Sequence, residues 1–359
     1  MSAHAAAHGA PTDVRVPRLR PYLGRLWYAW RDARTLARVR RLVPAILAGV
    51  SEPGPHAWVV QRAQWSATGV AVVFVGPAGA AQAPEAVLKA SYAGAGVQGL
   101  RAEARSLAAL HADARLGDWR ALLPRTVAEG AAAGLYYTLQ TALPGREAPA
   151  DAESTARAAE ALHPLHARTA MPALASEAFL AQAIDRPIEL LRGAVRSELP
   201  VQREEALERL AAELRETLAG RALRTGWIHG DFWLGNVLFA AGGRGGAPVT
   251  GIVDWSMAAP DMLALHDVLH LILHQRQMMQ GCELGDIVCA ALAGAEWTPG
   301  ERALLEAEDL GLPLQAGDER APVLLYWLRR LQCIFEQGRG QARNKVWVAW
   351  NIDRVLDCL

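Results

Sequence analysis

The sequence predicts an α+β protein of two lobes, a small antiparallel β-sheet lobe followed by a larger, mostly helical one. Three observations predict it. Between Ala57 and Leu143, short runs rich in Val and other apolar residues alternate with turn-forming stretches. Beyond Pro144-Gly145 the apolar spacing becomes helical almost to the last residue. One β interruption, at 227–255, breaks the helical half.

The amino-terminal region, 1–56, reads as an extension. Met1–Pro11 is expected to be disordered. From Arg15 to Arg41 nine arginines face only Asp13 and Asp32, with Leu23, Leu26, Trp27, Trp30, Leu36 and Val39 interleaved. This predicts a basic amphipathic helix over Leu23–Val43, stopped by Pro44. Such a helix could contact a membrane surface or a partner. The plainer expectation is that it packs on the main body with its arginines solvated.

In the small lobe, 57–143, strands are expected at Trp58–Arg62, Gly69–Val75, Ala86–Ser91, around Val127 and at Leu135–Thr141. Turns fall at Ser66–Gly69 and Gly76–Pro84. A helix over Gly99–Ala112 carries Leu100, Ala104, Leu107 and Leu110 on one face. The large lobe, 144–359, is expected to hold helices at Ala152–Arg168, Ser176–Arg192, Gln202–Gly220, Leu263–Gln280, Gly285–Ala293, Gly300–Leu310, Ala321–Phe335 and Arg343–Leu356. A cleft between two such lobes is the natural ligand site.

Composition removes several function classes. Basic and acidic residues both number 37, so no net charge draws the chain toward nucleic acid. No segment reaches the ~18 apolar residues of a membrane span, and no secretory signal is visible. Cys282, Cys289, Cys333 and Cys358 form no CxxC pair and read as buried or half-buried thiols of a reducing cytoplasm. Only two of the 37 basic residues are lysines, Lys89 and Lys345. A lysine in this arginine-rich chain marks a place where a compact charge is needed and a planar fork does not fit.

The β interruption carries the chemistry. It reads Trp227-Ile228-His229-Gly230-Asp231-Phe232-Trp233-Leu234-Gly235-Asn236, then Val237–Ala240, a glycine-rich turn, Val249–Val253 and Asp254-Trp255-Ser256. Two apolar runs about a glycine turn predict a β-hairpin. Antiparallel pairing brings Asn236, before the first strand, beside Asp254, after the second. A side-chain carbonyl and a carboxylate suit Mg²⁺, which takes oxygen ligands. Asp231, five residues before Asn236, faces the same mouth and could orient or deprotonate a hydroxyl. Asp and Asn in loops most often cap or turn the chain when taken singly. His-Gly-Asp with Asn at this spacing arises by chance in on the order of one chain in a thousand, so the combination points to a site.

These motifs resemble those of the aminoglycoside phosphotransferase and choline kinase family, small-molecule kinases with a protein-kinase-like fold. The resemblance covers roughly 57–340. It implies that Asp231 is the catalytic base and that Asn236 and Asp254 bind Mg²⁺. It also implies that Lys89 holds the α- and β-phosphates of ATP and pairs with Glu103. Backbone groups of Gln140, Thr141 and Leu143 would bind adenine, the turn Ser66, Thr68 and Gly69 would cover the phosphates, and His229 and Asp267 would support the catalytic loop. Leu165-His166 matches a pair common at the end of the family's first large-lobe helix.

Departures are visible. Ser256 replaces an acidic residue common two positions after the metal aspartate, Trp233 stands where His is common, and the phosphate turn holds a single glycine.

Other constellations carry less. His266, His270 and His274 share a helix face, but the zinc-protease motif they approach has Asp267 where Glu is required. The acidic stretch Glu296–Asp309, with Glu301, Glu306 and Glu308, could draw a cationic acceptor or simply be a solvated face. Trp233 and Trp255 could stack on an acceptor ring. The function expected is ATP- and Mg²⁺-dependent transfer of the γ-phosphate to a hydroxyl of a small molecule, with no nucleic acid partner. The alternative is a kinase-like nucleotide-binding or regulatory module without turnover. A protein kinase fits less well, because the loop has Gly230 where such kinases carry Arg.

Overall fold

The computed structural model describes residues 20–50, 58–66, 69–78, 83–92, 94–147, 149–195, 201–241, 247–307, 311–312, 319–337 and 344–359. The expectation of disorder at Met1–Pro11 and the candidate residue Thr68 lie outside them.

The amino-terminal helix α1 (Arg20–Val50) continues six residues past Pro44, where the sequence predicted a stop. Proline removes one helix hydrogen bond. Here Val39, Val43, Ile46 and Leu47 form an apolar stripe that spans the proline and is buried against the sheet. Burying that stripe offsets the lost bond, while Arg40 and Arg41 stay exposed on the other side.

Five strands follow: β1 (Trp58–Trp65), β2 (Ala71–Pro77), β3 (Ala86–Ser91) and, after helix α2 (Gly94–Ala112) and a 3₁₀ segment at Ala114–Leu122, β4 (Thr126–Ala132) and β5 (Leu135–Thr141). They pair antiparallel in the order β1-β2-β3-β5-β4. Side chains alternate faces along a strand. Ala86, Leu88 and Ala90 therefore turn to the core under α1, and Lys89 turns to the opposite face, where α2 lies. Helix α2 starts five residues earlier than expected. Its Leu107 and Leu110 reach into the large lobe's core with Trp119, Leu162, Leu165 and Trp255, which ties the lobes together.

The large lobe begins with α3 (Ala152–Thr169), β6 (Met171–Leu174), α4 (Glu177–Leu180), a π turn, α5 (Arg186–Val195) and α6 (Val201–Leu218). Next come β7 (Ala222–Ile228), β8 (Val237–Phe239), β9 (Val249–Ile252) and β10 (Ala259–Met262). The chain ends with α7 (Leu265–Gln280), α8 (Leu284–Leu292), α9 (Pro299–Ala307), α10 (Arg320–Glu336), α11 (Lys345–Val348) and α12 (Arg354–Leu356). The hairpin is formed, with Val237 opposite Ile252. The sequence did not predict β6 or β10. Met171 and Leu174 of β6 are exposed, so that strand has no apolar alternation to read. Strand β10 contains Pro260 and Asp261, whose φ is positive. Both strands flank β7, which delivers the chain into His229.

Cys289 and Cys358 are joined as a disulfide, while Cys282 and Cys333 are free, which corrects the expectation of four thiols. Chain folding brings together two residues 69 apart, a separation that leaves no local signal. Among the described residues no helix is long and apolar enough to cross a membrane.

Candidate active site

The loop 229–236 is suspended from Asp267 at the start of α7. Its Oδ2 accepts the backbone N–H of His229 at 2.6 Å and its Oδ1 accepts that of Gly230 at 2.8 Å. The ring Nε2 of His166, on α3, lies 3.1 Å from Oδ2. Asp267 is fully buried. Burial would raise its pKa, but the hydrogen bond from His166, the nearby imidazoles and the His229 amide outweigh it and hold the carboxyl below its usual range. His229 spans to the hairpin. Its Nε2 donates to the Val253 carbonyl at 2.9 Å, and its Nδ1 accepts the Asp231 N–H at 3.3 Å. Gly230 has φ +81°, and a Cβ there would lie 2.1 Å from the Met257 carbonyl oxygen. The tight approach between loop and hairpin thus requires glycine.

Asn236 donates its side-chain Nδ2–H to the Asp231 carbonyl at 2.8 Å, and its own carbonyl accepts Val253 N–H at 2.9 Å. The amide orientation follows from the partner, since a carbonyl only accepts. It leaves Asn236 Oδ1 available for a cation. Asp254 sits in the left-handed region with φ +66°, a conformation that costs a non-glycine residue on the order of 1 kcal/mol and is often found at functional sites. Ser256 Oγ donates to Asp254 Oδ1 at 3.0 Å, so the serine at the departure position steadies this carboxylate.

The small lobe connects here through Lys89. Its Nζ meets Glu103 Oε1 at 2.6 Å, and the same oxygen accepts Trp255 N–H at 3.3 Å. Burial would lower the Lys89 pKa, but Glu103 and Asp254 outweigh it and keep the ammonium charged. One buried glutamate therefore couples β3, α2 and the Asp254 loop. Carboxylate and amide oxygens beside a fixed ammonium suit Mg²⁺ and a polyphosphate.

The adenine and turn residues divide. Thr141 N–H donates to the Arg125 carbonyl and Ala142 N–H to the Glu85 carbonyl, both at 2.9 Å. Gln140 is buried within the sheet. Leu143 packs against Gly251, and its N–H has no protein partner among the described residues. In the turn, Gly69 N–H bonds the Ser66 carbonyl at 3.1 Å, and Ser66 Oγ accepts Val70 N–H. These groups close the turn on itself, and Gly69 does not present its amide outward.

The sequence reading missed the partners of Asp231. Arg330 of α10 reaches its Oδ1 with Nη1 at 2.6 Å, and His270 Nε2 of α7 stands 3.2 Å from the same oxygen. A carboxylate only accepts, so Nε2 carries the hydrogen and Nδ1 accepts from Tyr326 Oη, 3.0 Å away. Burial would raise the Asp231 pKa, but His270 and Arg330 outweigh it and hold the carboxyl far below its usual range. Burial and Arg330 push His270 down to about 4 despite Asp231, so its imidazole is neutral at pH 7. The spacing of His266, His270 and His274 signalled a shared helix face. Nothing local signalled Arg330, which is 99 residues from Asp231.

The stacking expectation for Trp255 is corrected. Trp255 is fully buried, donates its ring N–H to the Ile252 carbonyl and packs on His229, so it cannot stack on an acceptor. Trp233 is half-exposed, and its ring lies tilted against that of His274 with centroids 4.8 Å apart. In the acidic stretch Glu301 is paired with Arg276, Glu296 and Glu306 are exposed as in a solvated face, and Glu308 lies outside the described residues. The three histidines of α7 do not form a metal cluster among the described residues.

A five-stranded antiparallel lobe, a helical lobe and an aspartate loop facing an asparagine–aspartate hairpin define a kinase-like phosphotransferase fold. The phosphotransferase enzyme family model matches residues 64–305, and the chain belongs to that family. Solved structures agree in fold. Wild-type aminoglycoside 2'-phosphotransferase-IIIa in its GDP complex is 15% identical, with a TM-score of 0.50, 87% of this chain covered and 95% of that one. The GDP and kanamycin complex of the 2''-phosphotransferase-IIIa is 16% identical, with a TM-score of 0.50 and 87% and 96% covered. The apo form of a thermostable APH(4)-Ia mutant is 16% identical, with a TM-score of 0.50 and 84% and 94% covered. No curated protein matches the sequence.

Proposed function

We propose that this phosphotransferase uses ATP and Mg²⁺ to phosphorylate a hydroxyl of a small molecule, with Asp231 as the residue that orients the acceptor. The observation that carries the reading is one connected set of contacts. Lys89, Glu103 and the Trp255 amide lead to Asp254, and Asn236 leads to Asp231. Lys89 would bind the α- and β-phosphates. Asn236 Oδ1 and the Asp254 carboxylate fit a hard cation, and bound Mg²⁺ would neutralise charge on the transferring phosphate. Leu143 N–H is the donor for adenine.

Oδ1 of Asp231 is occupied, and its Oδ2 has no protein partner among the described residues. The acceptor hydroxyl donates to Oδ2 and is aligned with the γ-phosphorus. The bond from acceptor oxygen to phosphorus forms as the bond to the ADP oxygen breaks. The acceptor proton passes to Asp231 and then to solvent. A carboxylate held this acidic is a weak base, so its contribution is alignment, as expected for a loose phosphoryl-transfer transition state. A cytoplasmic setting accords with the need for ATP, and the Cys289–Cys358 pair is the observation that opposes a fully reducing one.

The test pairs calorimetric titration of MgATP with transfer assays on hydroxylated metabolites and antibiotics. Asp231→Ala and Asp231→Asn should abolish transfer and leave MgATP affinity within a few-fold. Full activity in either variant refutes the assignment. Binding of MgATP with no transfer to any acceptor would favour the module without turnover.

A further inference from the structure

Helix α10 brings two consecutive arginines, Arg329 and Arg330, to the large-lobe side of Asp231 and the α7 histidines. Arg330 is half-buried beside the carboxylate, and only its Nη1 is used. Its other guanidinium nitrogens have no protein partner among the described residues and are not sealed from solvent. Arg329, the preceding residue, has a buried Nε without a partner and acts electrostatically on His266. His270, His274 and Trp233 complete this face. Burial pushes His266 and His270 down to about 3 and about 4 and lowers His274, so none of them adds charge near pH 7. On α9, Glu301 holds Arg276 through both carboxylate oxygens, and at the end of α10, Glu336 holds Arg186 and Gln332 through Oε1 alone. Asp231 Oδ2 is the oxygen assigned to the reacting hydroxyl, and the Arg330 guanidinium stands beside it.

A polyammonium acceptor entering this mouth would meet the like charge of the Arg330 guanidinium beside the reacting oxygen. An acceptor with an oxyacid group close to its hydroxyl meets the opposite situation. A planar guanidinium with unused donors is the side chain best suited to a carboxylate or phosphate. Its attachment to Asp231 fixes the distance between the anion site and the reacting oxygen.

We infer that the acceptor is an anionic hydroxyl compound, bearing a carboxylate or phosphate near the hydroxyl, and that Arg330 is the residue that selects it. This rests on the phosphotransferase reading above. It makes Arg330 a specificity residue that contacts the acceptor and also holds Asp231 in place.

The experiment uses the full chain, wild type, Arg330→Gln and Arg330→Lys. A matched panel offers each carbon skeleton as a neutral polyol, a hydroxy acid and a phosphate ester, with polyamino sugars alongside. Transfer of the γ-phosphate is the readout, and MgATP binding is titrated in parallel. The wild type should use anionic members with kcat/KM at least about tenfold above their neutral counterparts, and should not use the polyamino sugars. Whether the hydroxy acids or the phosphate esters respond identifies the anion. Arg330→Gln should reduce that preference by about 10- to 100-fold, chiefly through KM, the size expected for a lost charge-assisted hydrogen bond. Arg330→Lys should retain part of it.

The inference is overturned by preference for neutral or cationic members. It is also overturned by no anionic turnover in a protein that binds MgATP, or by an Arg330→Gln effect that lowers kcat equally for every acceptor. Failure of the wild type to bind MgATP would instead remove the phosphotransferase reading beneath it.

Discussion

Replacing Asp267 with Asn probes how the loop at 229–236 is held. The wild-type carboxylate accepts three hydrogen bonds, from Gly230 N–H on Oδ1 and from His229 N–H and His166 Nε2 on Oδ2. An asparagine has one acceptor oxygen. In its best orientation that oxygen takes the Oδ2 position and keeps two bonds. The NH₂ group then faces the Gly230 N–H, donor against donor, in a site without solvent. Losing one charge-assisted bond costs about 1.5–3 kcal/mol, and leaving a buried donor unpaired adds about 1–3 kcal/mol. The expected loss is about 3–5 kcal/mol. Urea denaturation at pH 7 should show a lower midpoint with an unchanged slope, and phosphate transfer should fall because Asp231 follows Gly230 directly. The pH dependence has a defined sign. The folded carboxyl is depressed, so its stabilisation is present above the unfolded value of 3.8 and is lost as pH falls toward the folded one. The gap between wild type and variant should therefore narrow below about pH 4. A loss under about 1 kcal/mol with unchanged activity would refute the brace.

Other perturbations have comparably specific outcomes. Gly230→Ala should destabilise by about 2 kcal/mol or more, because it combines positive φ with a clash against backbone; a calorimetric melt within a degree of wild type would contradict this. Lys89→Ala leaves Glu103 buried and unpaired and should cost about 3–5 kcal/mol. Lys89→Met with Glu103→Gln should recover much of that loss without restoring MgATP affinity, and equal melting of the single and double variants would count against the ion pair. Burial holds His270 down to about 4 from an ordinary 6.5, so the unfolded chain binds the proton first as pH drops. Its contribution is complete above pH 6.5 and fades toward pH 4, by up to about 3 kcal/mol. Urea midpoints measured from pH 7 to pH 4 should fall in the wild type, and fall less in His270→Gln.

Some of this was readable in the chain itself, for physical reasons. His229, Gly230, Asp231 and Asn236 lie within eight residues, so local geometry alone sets their spacing. Two apolar runs about a glycine turn can bury themselves by pairing, which brings Asp254 back to Asn236. The scarcity of lysine set Lys89 apart before any strand was drawn. Strand alternation then turned Lys89 away from the core under α1 and toward α2, where Glu103 lies one helical turn from Leu107.

What the chain could not disclose depends on how helices rotate and dock. Which face of α10 meets α7 is decided by packing, and that packing sends Arg330 to Asp231 across 99 residues. Helix α1 runs through Pro44 because a sheet is present to bury Ile46 and Leu47. Trp255 is removed from solvent because its hairpin folds against His229 and Trp119. Local sequence determined the loop that holds Asp231 and the hairpin beside it. Tertiary packing decided the charges that surround Asp231, because electrostatic neighbours are set by distance in space and the sequence records only distance along the chain.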